Sequence, residues 1–427
     1  MSKFIVEGGI PLSGEVTVGG SKNAVLPILS ATLLGSTPSI IKNVPDISDV
    51  HAFLKIISDL GAVVAFDNGT VTINPARLEQ IKIDSHLVKH MRASILLLGP
   101  LLALYKEALL PYPGGCVLGK RSVHAHIHAL TAFGANLVEN TEAIHLKANE
   151  LHSAKIIMSE ASVTATENAL MVAVTVPGTT EIRWSAMEPH VKDLCDFLVK
   201  MGAQIEGIGT STLIVHGGKA LKGATHTVTP DYLEAGTYVL AGILTNGEIT
   251  VNSCPVEQLD SFWEKLEEVG AKFTLGKDKV TTHKHNGLKA VEKLQTAVYP
   301  GFPTDLQAPF AVLLTECTGT SKIYETLFEG RLNYLAELQK MGAKTEIQNL
   351  HEATITGKTE LTGAEIASCD IRAGAAMVLA ALIAKGQTVI SEINYIDRGY
   401  EKLEEKLRKL GAKIERIKEG IEHRLSP

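Results

Sequence analysis

Lys200-Met201-Gly202-Ala203 returns as Lys340-Met341-Gly342-Ala343. Looser copies stand at Asp59-Leu60-Gly61-Ala62, Ala132-Phe133-Gly134-Ala135, Glu268-Val269-Gly270-Ala271 and Lys409-Leu410-Gly411-Ala412. The six glycines lie 68 to 73 residues apart. A constant period marks a repeated structural unit, and this one is too long for an ankyrin or tetratricopeptide array. Each phrase closes an amphipathic stretch. In the last copy Leu403, Leu407 and Leu410 share one helical face with charge opposite. Gly411 then falls where a helix C-terminus favours a left-handed residue. Strand-like runs follow, such as Lys413–Ile417 and Gln204–Glu206.

Working outward, each unit opens with a stretch that is apolar nearly all round and is therefore a buried helix. These are Asn23–Leu34, Arg92–Tyr105, Glu167–Val174, Leu233–Leu244, Leu306–Leu314 and Ala373–Ala384. Runs such as Gly247–Val251 and Gly386–Ile390 place a strand after each. The pattern predicts an α/β protein of two domains, three repeats of about 70 residues in each, packed around the buried helices. The cut falls between the third and fourth copies, near Thr229-Pro230-Asp231. The N-terminal strand, Lys3–Val18, is displaced by one position in the cycle and is expected to complete the C-terminal domain. That assigns 1–21 plus 230–427 to one domain and 22–229 to the other. A cleft between domains is the natural place for a ligand.

The 427 residues are 45% hydrophobic and 21% charged, with a net charge of −6, which fits a globular protein and argues against a nucleic-acid or anionic-membrane binder. The five cysteines, Cys116, Cys195, Cys254, Cys317 and Cys369, are scattered, and no CxxC pair exists to suggest a zinc ribbon or a dithiol motif. An odd count fits a reducing compartment. No basic segment leads into an apolar run near the N-terminus, and runs such as Met377–Ile383 are too short to span a bilayer. The expected location is the cytoplasm.

Two features carry chemistry. The first is the loop Pro111-Tyr112-Pro113-Gly114-Gly115-Cys116-Val117-Leu118-Gly119-Lys120-Arg121, which cannot continue a helix or a central strand. Fixed positive charge beside Cys116 favours the thiolate. The fifth and sixth repeats have no comparable insertion, so this loop is expected to act as a lid over the cleft. The second is a set of cations at the starts of the buried helices: Lys22 beside Asn23, Arg92, and Arg372 beside Asp370. Cations are disfavoured at a helix N-terminus, whereas anions are welcome there. An anionic ligand would resolve the conflict. Asp231 and Asp370 taken alone read as helix caps, and Arg331 and Arg398 taken alone read as solvated charges.

Together these phrases resemble the UDP-N-acetylglucosamine 1-carboxyvinyltransferases, the enolpyruvyl transferases of peptidoglycan precursor synthesis. The resemblance rests on Gly20-Ser21-Lys22-Asn23-Ala24, Met91-Arg92-Ala93-Ser94-Ile95, Pro113-Gly114-Gly115-Cys116, Tyr299-Pro300-Gly301-Phe302-Pro303-Thr304-Asp305, Asp370-Ile371-Arg372-Ala373 and Asp397-Arg398-Gly399-Tyr400. It implies two inside-out α/β domains of three repeats each. It implies transfer of the enolpyruvyl group of phosphoenolpyruvate to the sugar 3-hydroxyl, through a tetrahedral adduct that eliminates phosphate. By the family pattern Cys116 is the acid and Asp305 the base, with Asp370 orienting Arg372 or moving a proton. Lys22, Asn23, Arg121, Arg331, Arg372 and Arg398 would hold phosphoenolpyruvate. Arg92, Arg121, Ser122, Val123, His124, Ala125, Asp305 and Leu327 would hold the UDP-sugar. No metal, organic cofactor or obligate protein partner is implied. The chain departs from the pattern after the loop, with Ser122-Val123-His124-Ala125-His126 where Pro-Val-Asp-Leu-His is usual, and has His190 where an acid is usual. The related enolpyruvyl-shikimate-phosphate synthases share the fold but are not expected to carry the Pro-Gly-Gly-Cys loop.

Overall fold

The computed structural model describes residues 2–76, 78, 83, 85–114 and 122–418. These divide into two compact units. One runs as far as Val18 and resumes at Tyr232, and the other lies between Gly19 and Asp231. Each unit has its own hydrophobic core and, among the described residues, three sheets.

In the Gly19–Asp231 unit, the helices Lys22–Ala31, Leu98–Tyr105 and Val163–Ala173 are the inner ones. Leu26, Ile28, Leu29, Leu101, Leu170 and Val172 are all buried. In the other unit the same place is taken by Tyr232–Leu244, Gln307–Glu316 and Ile371–Ile383. All thirteen residues of Tyr232–Leu244 are buried. A helix apolar on every side has no face to show water, so it is stable only where sheets or other helices surround it. The outer helices are amphipathic. Pro189–Lys200, for example, buries Val191, Leu194, Phe197 and Leu198 and exposes Lys192, Val199 and Lys200.

The six repeated glycines share one conformation. Gly61, Gly134, Gly202, Gly270, Gly342 and Gly411 all have φ between 84° and 111°. An L-residue with a side chain is strained there, which is why glycine recurs while its neighbours drift. After Gly61, Gly202, Gly270, Gly342 and Gly411 the next alanine returns a backbone N–H to the closing helix, as in Ala271 N to Leu266 O at 3.0 Å. The chain then enters an antiparallel strand pair such as Lys272–Leu275 with Lys279–His283.

Most sheets are four-stranded and mix directions. Gly178–Arg183 pairs parallel with Lys155–Ile157 and antiparallel with Thr212–Gly217. Glu248–Asn252 pairs parallel with Ser13–Thr17 and antiparallel with Lys279–His283. The N-terminal segment differs from the single strand expected over Lys3–Val18. It forms two strands, Ser2–Glu7 and Ser13–Thr17, in two different sheets. Ser2–Glu7 lies antiparallel between Gln387–Ser391 and Lys413–Lys418. The break is steric. A Cβ at Gly8 would meet Ala384 O at 2.3 Å, and Gly9 has φ +82°. Pro11 then removes a donor from the ladder. No helix among the described residues is long and apolar enough to cross a membrane.

Phe310, fully buried in Gln307–Glu316, meets Phe302 edge-on at 5.4 Å and Phe262 at 6.1 Å. Phe302 belongs to the Tyr299–Asp305 segment, so this cluster supports that segment from beneath. Phe310→Ala should destabilise its unit by about 3–5 kcal/mol, read as a lowered urea midpoint. An unchanged midpoint would show that the aromatic cluster does not hold the unit together.

Candidate active site

Three segments converge on Asp305. The short turn Thr304–Leu306 presents it just ahead of the helix Gln307–Glu316. Arg331 donates from Nη2 to Asp305 Oδ1 at 2.6 Å, and Arg372 donates from Nε to Oδ2 at 3.1 Å. Both arginines are about 4% exposed at the side chain, against 26% for Asp305. They are therefore not the solvated charges that their local sequence suggests for Arg331. Burial alone would raise the Asp305 carboxyl. The two guanidiniums outweigh that and hold it well below the usual carboxylate range. Asp305 is ionised at neutral pH.

Asp370 caps the helix Ile371–Ile383. Its Oδ1 accepts from the backbone N–H of Arg372 at 2.8 Å and of Ala373 at 2.9 Å. The cap falls on the backbone of Arg372 itself. The Arg372 guanidinium also stacks 5.0 Å above the Tyr400 ring, whose hydroxyl lies 3.0 Å from Thr237 Oγ1. Arg398 ends the turn Ile393–Arg398, two residues before Tyr400. Its neighbour Asp397 is gripped by Arg416, with Nη1 to Oδ2 at 2.8 Å and Nη2 to Oδ1 at 2.7 Å.

The Gly19–Asp231 unit holds two further groups. Lys22 opens its helix and is 9% exposed. Its Nζ lies 2.8 Å from Asp49 Oδ2, so a carboxylate of the protein supplies part of the counter-charge expected of a ligand. Asn23 follows on the same helix, half-buried. Arg92 donates from Nη2 to Ser122 O at 3.2 Å. Ser122 Oγ accepts from His124 N at 3.0 Å, which fixes the start of the helix His124–Thr131. His124 is exposed, Val123 half-buried and Ala125 buried. The His126 ring lies 2.7 Å from Thr164 Oγ1. Burial, then the charge of Arg92, push His126 down to about 3, so it is neutral. Arg92 thus stands beside both Ser122 and His126.

Leu327 is 38% exposed, and its N–H donates to Glu325 Oε1 at 2.9 Å. Cys116 and Arg121, with the lid expected of their loop, lie outside the described residues. Among the described residues no group of three or more histidines, cysteines or acids could hold a metal ion.

Sequence reasoning missed Asp49, Glu325 and Arg416. Asp49 reads as an ordinary first-turn acid. Glu325 directly follows the strand Cys317–Tyr324 and carries no periodic signal. Arg416 alternates within a terminal strand like any solvent-facing charge.

Comparison with known proteins matches this arrangement to one family. The EPSP synthase (3-phosphoshikimate 1-carboxyvinyltransferase) family model matches residues 6–423. The UDP-N-acetylglucosamine 1-carboxyvinyltransferase 1 of Caldanaerobacter subterraneus subsp. tengcongensis is 44% identical over 97% of this chain and 99% of its own length. The UDP-N-acetylglucosamine 1-carboxyvinyltransferase of Koribacter versatilis is 43% identical over 100% of this chain and 99% of its own. Among solved structures, the enolpyruvyl transferase NikO of Streptomyces tendae superposes with a TM-score of 0.89 at 26% identity, over 97% of this chain and 99% of that one. An EPSP synthase of Acinetobacter baumannii, 17% identical, shares the fold with a TM-score of 0.75 over 98% of this chain and 100% of that one. The chain belongs to the EPSP synthase family and is an enolpyruvyl (1-carboxyvinyl) transferase.

Proposed function

We propose that this enzyme transfers the enolpyruvyl group of phosphoenolpyruvate to the 3-hydroxyl of UDP-N-acetylglucosamine and releases phosphate, the first committed step toward peptidoglycan precursors. The observation that carries this choice of acceptor is the 44% identity, across almost the whole of both chains, to a transferase named for that substrate. The Pro113-Gly114-Gly115-Cys116 phrase points the same way.

On this reading the fold is two inside-out domains of three repeats each, 1–21 with 230–427 and 22–229. The three sheets per unit and the six left-handed glycines support it. Cys116, whose pKa must stay near the working pH against the pull of its neighbouring charges, gives a proton from its thiol form to the methylene carbon of phosphoenolpyruvate. The adjacent carbon becomes cation-like, and the sugar oxygen bonds to it while Asp305 takes the hydroxyl proton. The adduct loses a proton from the new methyl group and breaks its bond to phosphate, which leaves the enolpyruvyl ether. Phosphoenolpyruvate carries nearly three negative charges, which Lys22, Arg121, Arg331, Arg372 and Arg398 would balance, with Asn23 bonding to substrate oxygen. Arg92, Ser122, Val123, His124, Ala125 and Leu327 would hold the UDP-sugar.

Asp305 held by two guanidiniums is a weak base. A substrate anion that recruits either arginine loosens that hold and raises the basicity of Asp305 at the moment it is needed. Asp370 keeps Arg372 in place throughout.

The test is phosphate release from phosphoenolpyruvate with two alternative acceptors. Release should occur with UDP-N-acetylglucosamine and not with shikimate 3-phosphate. No release with the UDP-sugar at saturation would sink this reading.

A further inference from the structure

We propose that Glu325 is a positioning residue for this reaction, acting through Thr304 to hold Asp305 and its partner Arg331 in register. The inference rests on the transferase reading, since it gives Glu325 a part in placing the base of that chemistry.

Glu325 is fully buried, and a carboxylate so far from water must be satisfied by donors. It has four, and they divide between two segments. Oε2 accepts from Thr304 Oγ1 at 2.8 Å. Oε1 accepts from Thr296 Oγ1 at 3.1 Å, Leu327 N at 2.9 Å and Phe328 N at 3.3 Å. Thr304 directly precedes Asp305 in the same short turn. Phe328 leads into Arg331: the Arg331 N–H donates to Phe328 O at 3.3 Å, and the guanidinium stands 5.5 Å from the Phe328 ring. One carboxylate therefore ties the turn that carries the base to the turn that carries the cation gripping it.

The backbone of Glu325 is fixed as well. Its N–H donates to His351 O at 2.8 Å, and its carbonyl lies 2.7 Å from His351 Nδ1. The clamp is thus tied to His351, immediately ahead of strand Glu352–Gly357. Precise placement of a base matters because an error of an ångström costs far more in rate than in stability.

The chemistry also predicts which changes break the clamp. Backbone N–H groups only donate, so a glutamine at 325 must turn its oxygen to Leu327 and Phe328 and its amide toward Thr304. The Thr304 hydroxyl must then reverse its role. Valine at 304 keeps the shape and removes the hydroxyl altogether.

Thr304→Val should lower kcat at least tenfold when assayed well below its melting temperature, which should itself fall because Glu325 Oε2 loses the Thr304 donor, and Thr304→Ser should restore kcat to within about twofold. Glu325→Gln combined with Thr304→Val should cost less than the product of the two single losses. Normal kcat in Thr304→Val, in an enzyme whose wild type is active, would overturn the proposal. A second readout does not depend on turnover. The urea-midpoint losses of Glu325→Gln and Asp305→Asn should be non-additive, although the two side chains are not bonded to each other. Strict additivity would also overturn it. A wild type that releases no phosphate refutes the transferase reading instead, and the urea cycle still decides whether Glu325 is coupled to Asp305.

Discussion

Asp305→Asn should lower kcat by about 10²–10⁴, the range expected for loss of a general base, and should also lower the melting temperature at pH 7. The second effect follows from the partners. Removing the charge takes from the buried Arg331 and Arg372 the carboxylate that both of them grip. Breaking one side of a buried pair costs about 3–5 kcal/mol. The pH dependence separates this from a general packing defect. The Asp305 carboxyl lies lower in the folded chain than in the unfolded one. Its stabilising contribution is therefore complete above the unfolded pKa, about 4, and is lost as the pH falls through the lower folded value. The melting deficit of Asp305→Asn should be constant from pH 8 to about 5 and shrink below about 4. A deficit that is the same at every pH would mean that the ion pair is not its origin.

Cys116→Ser should remove both the fast-reacting thiol and most of the turnover, again about 10²–10⁴ in kcat. The labelling half of this prediction rests on the other four cysteines. Burial pushes Cys195, Cys254 and Cys317 up to about 12 and Cys369 up to about 11. Their thiolate fraction at pH 7.5 is thus negligible, and the thiolate is the nucleophile. Cys116 alone has Lys120 and Arg121 four and five residues on. A thiolate-directed epoxide or haloacetamide should add one equivalent of label at Cys116 in the native enzyme and none in Cys116→Ser. Label spread evenly across all five cysteines would refute a special Cys116, and full turnover in Cys116→Ser would refute its role as the acid.

Much of the fold is legible in the chain because the units repeat. The Gly-Ala phrases mark helix ends, since only glycine accepts the left-handed conformation at Gly61 through Gly411 without strain. The inner helices announce themselves by having no polar face, and the expected stretch Leu233–Leu244 lies within the helix Tyr232–Leu244. Long, strongly periodic segments are the ones that local pattern defines best. The N-terminal strand was harder. Gly8-Gly9 and Pro11 interrupt Lys3–Val18, but the close approach of Ala384 to Gly8 and the pairing of the two halves in different sheets belong to the tertiary structure.

The candidate site divides the same way. Residue types were readable: a carboxylate in a Pro-rich turn, cations at helix starts, a thiol beside positive charge. Their partners were not. Asp305 meets Arg331 and Arg372 across separations of 26 and 67 residues. Lys22 finds Asp49, and Glu325 reaches back to Thr296 and Thr304. Sequence pattern by itself determined the period, the helices and the chemical kinds of residue, because those depend on neighbours within a few turns of chain. Which charge faces which was decided only by tertiary structure. Coulomb interaction and desolvation depend on distance and burial in space, and nothing in the local pattern reports either.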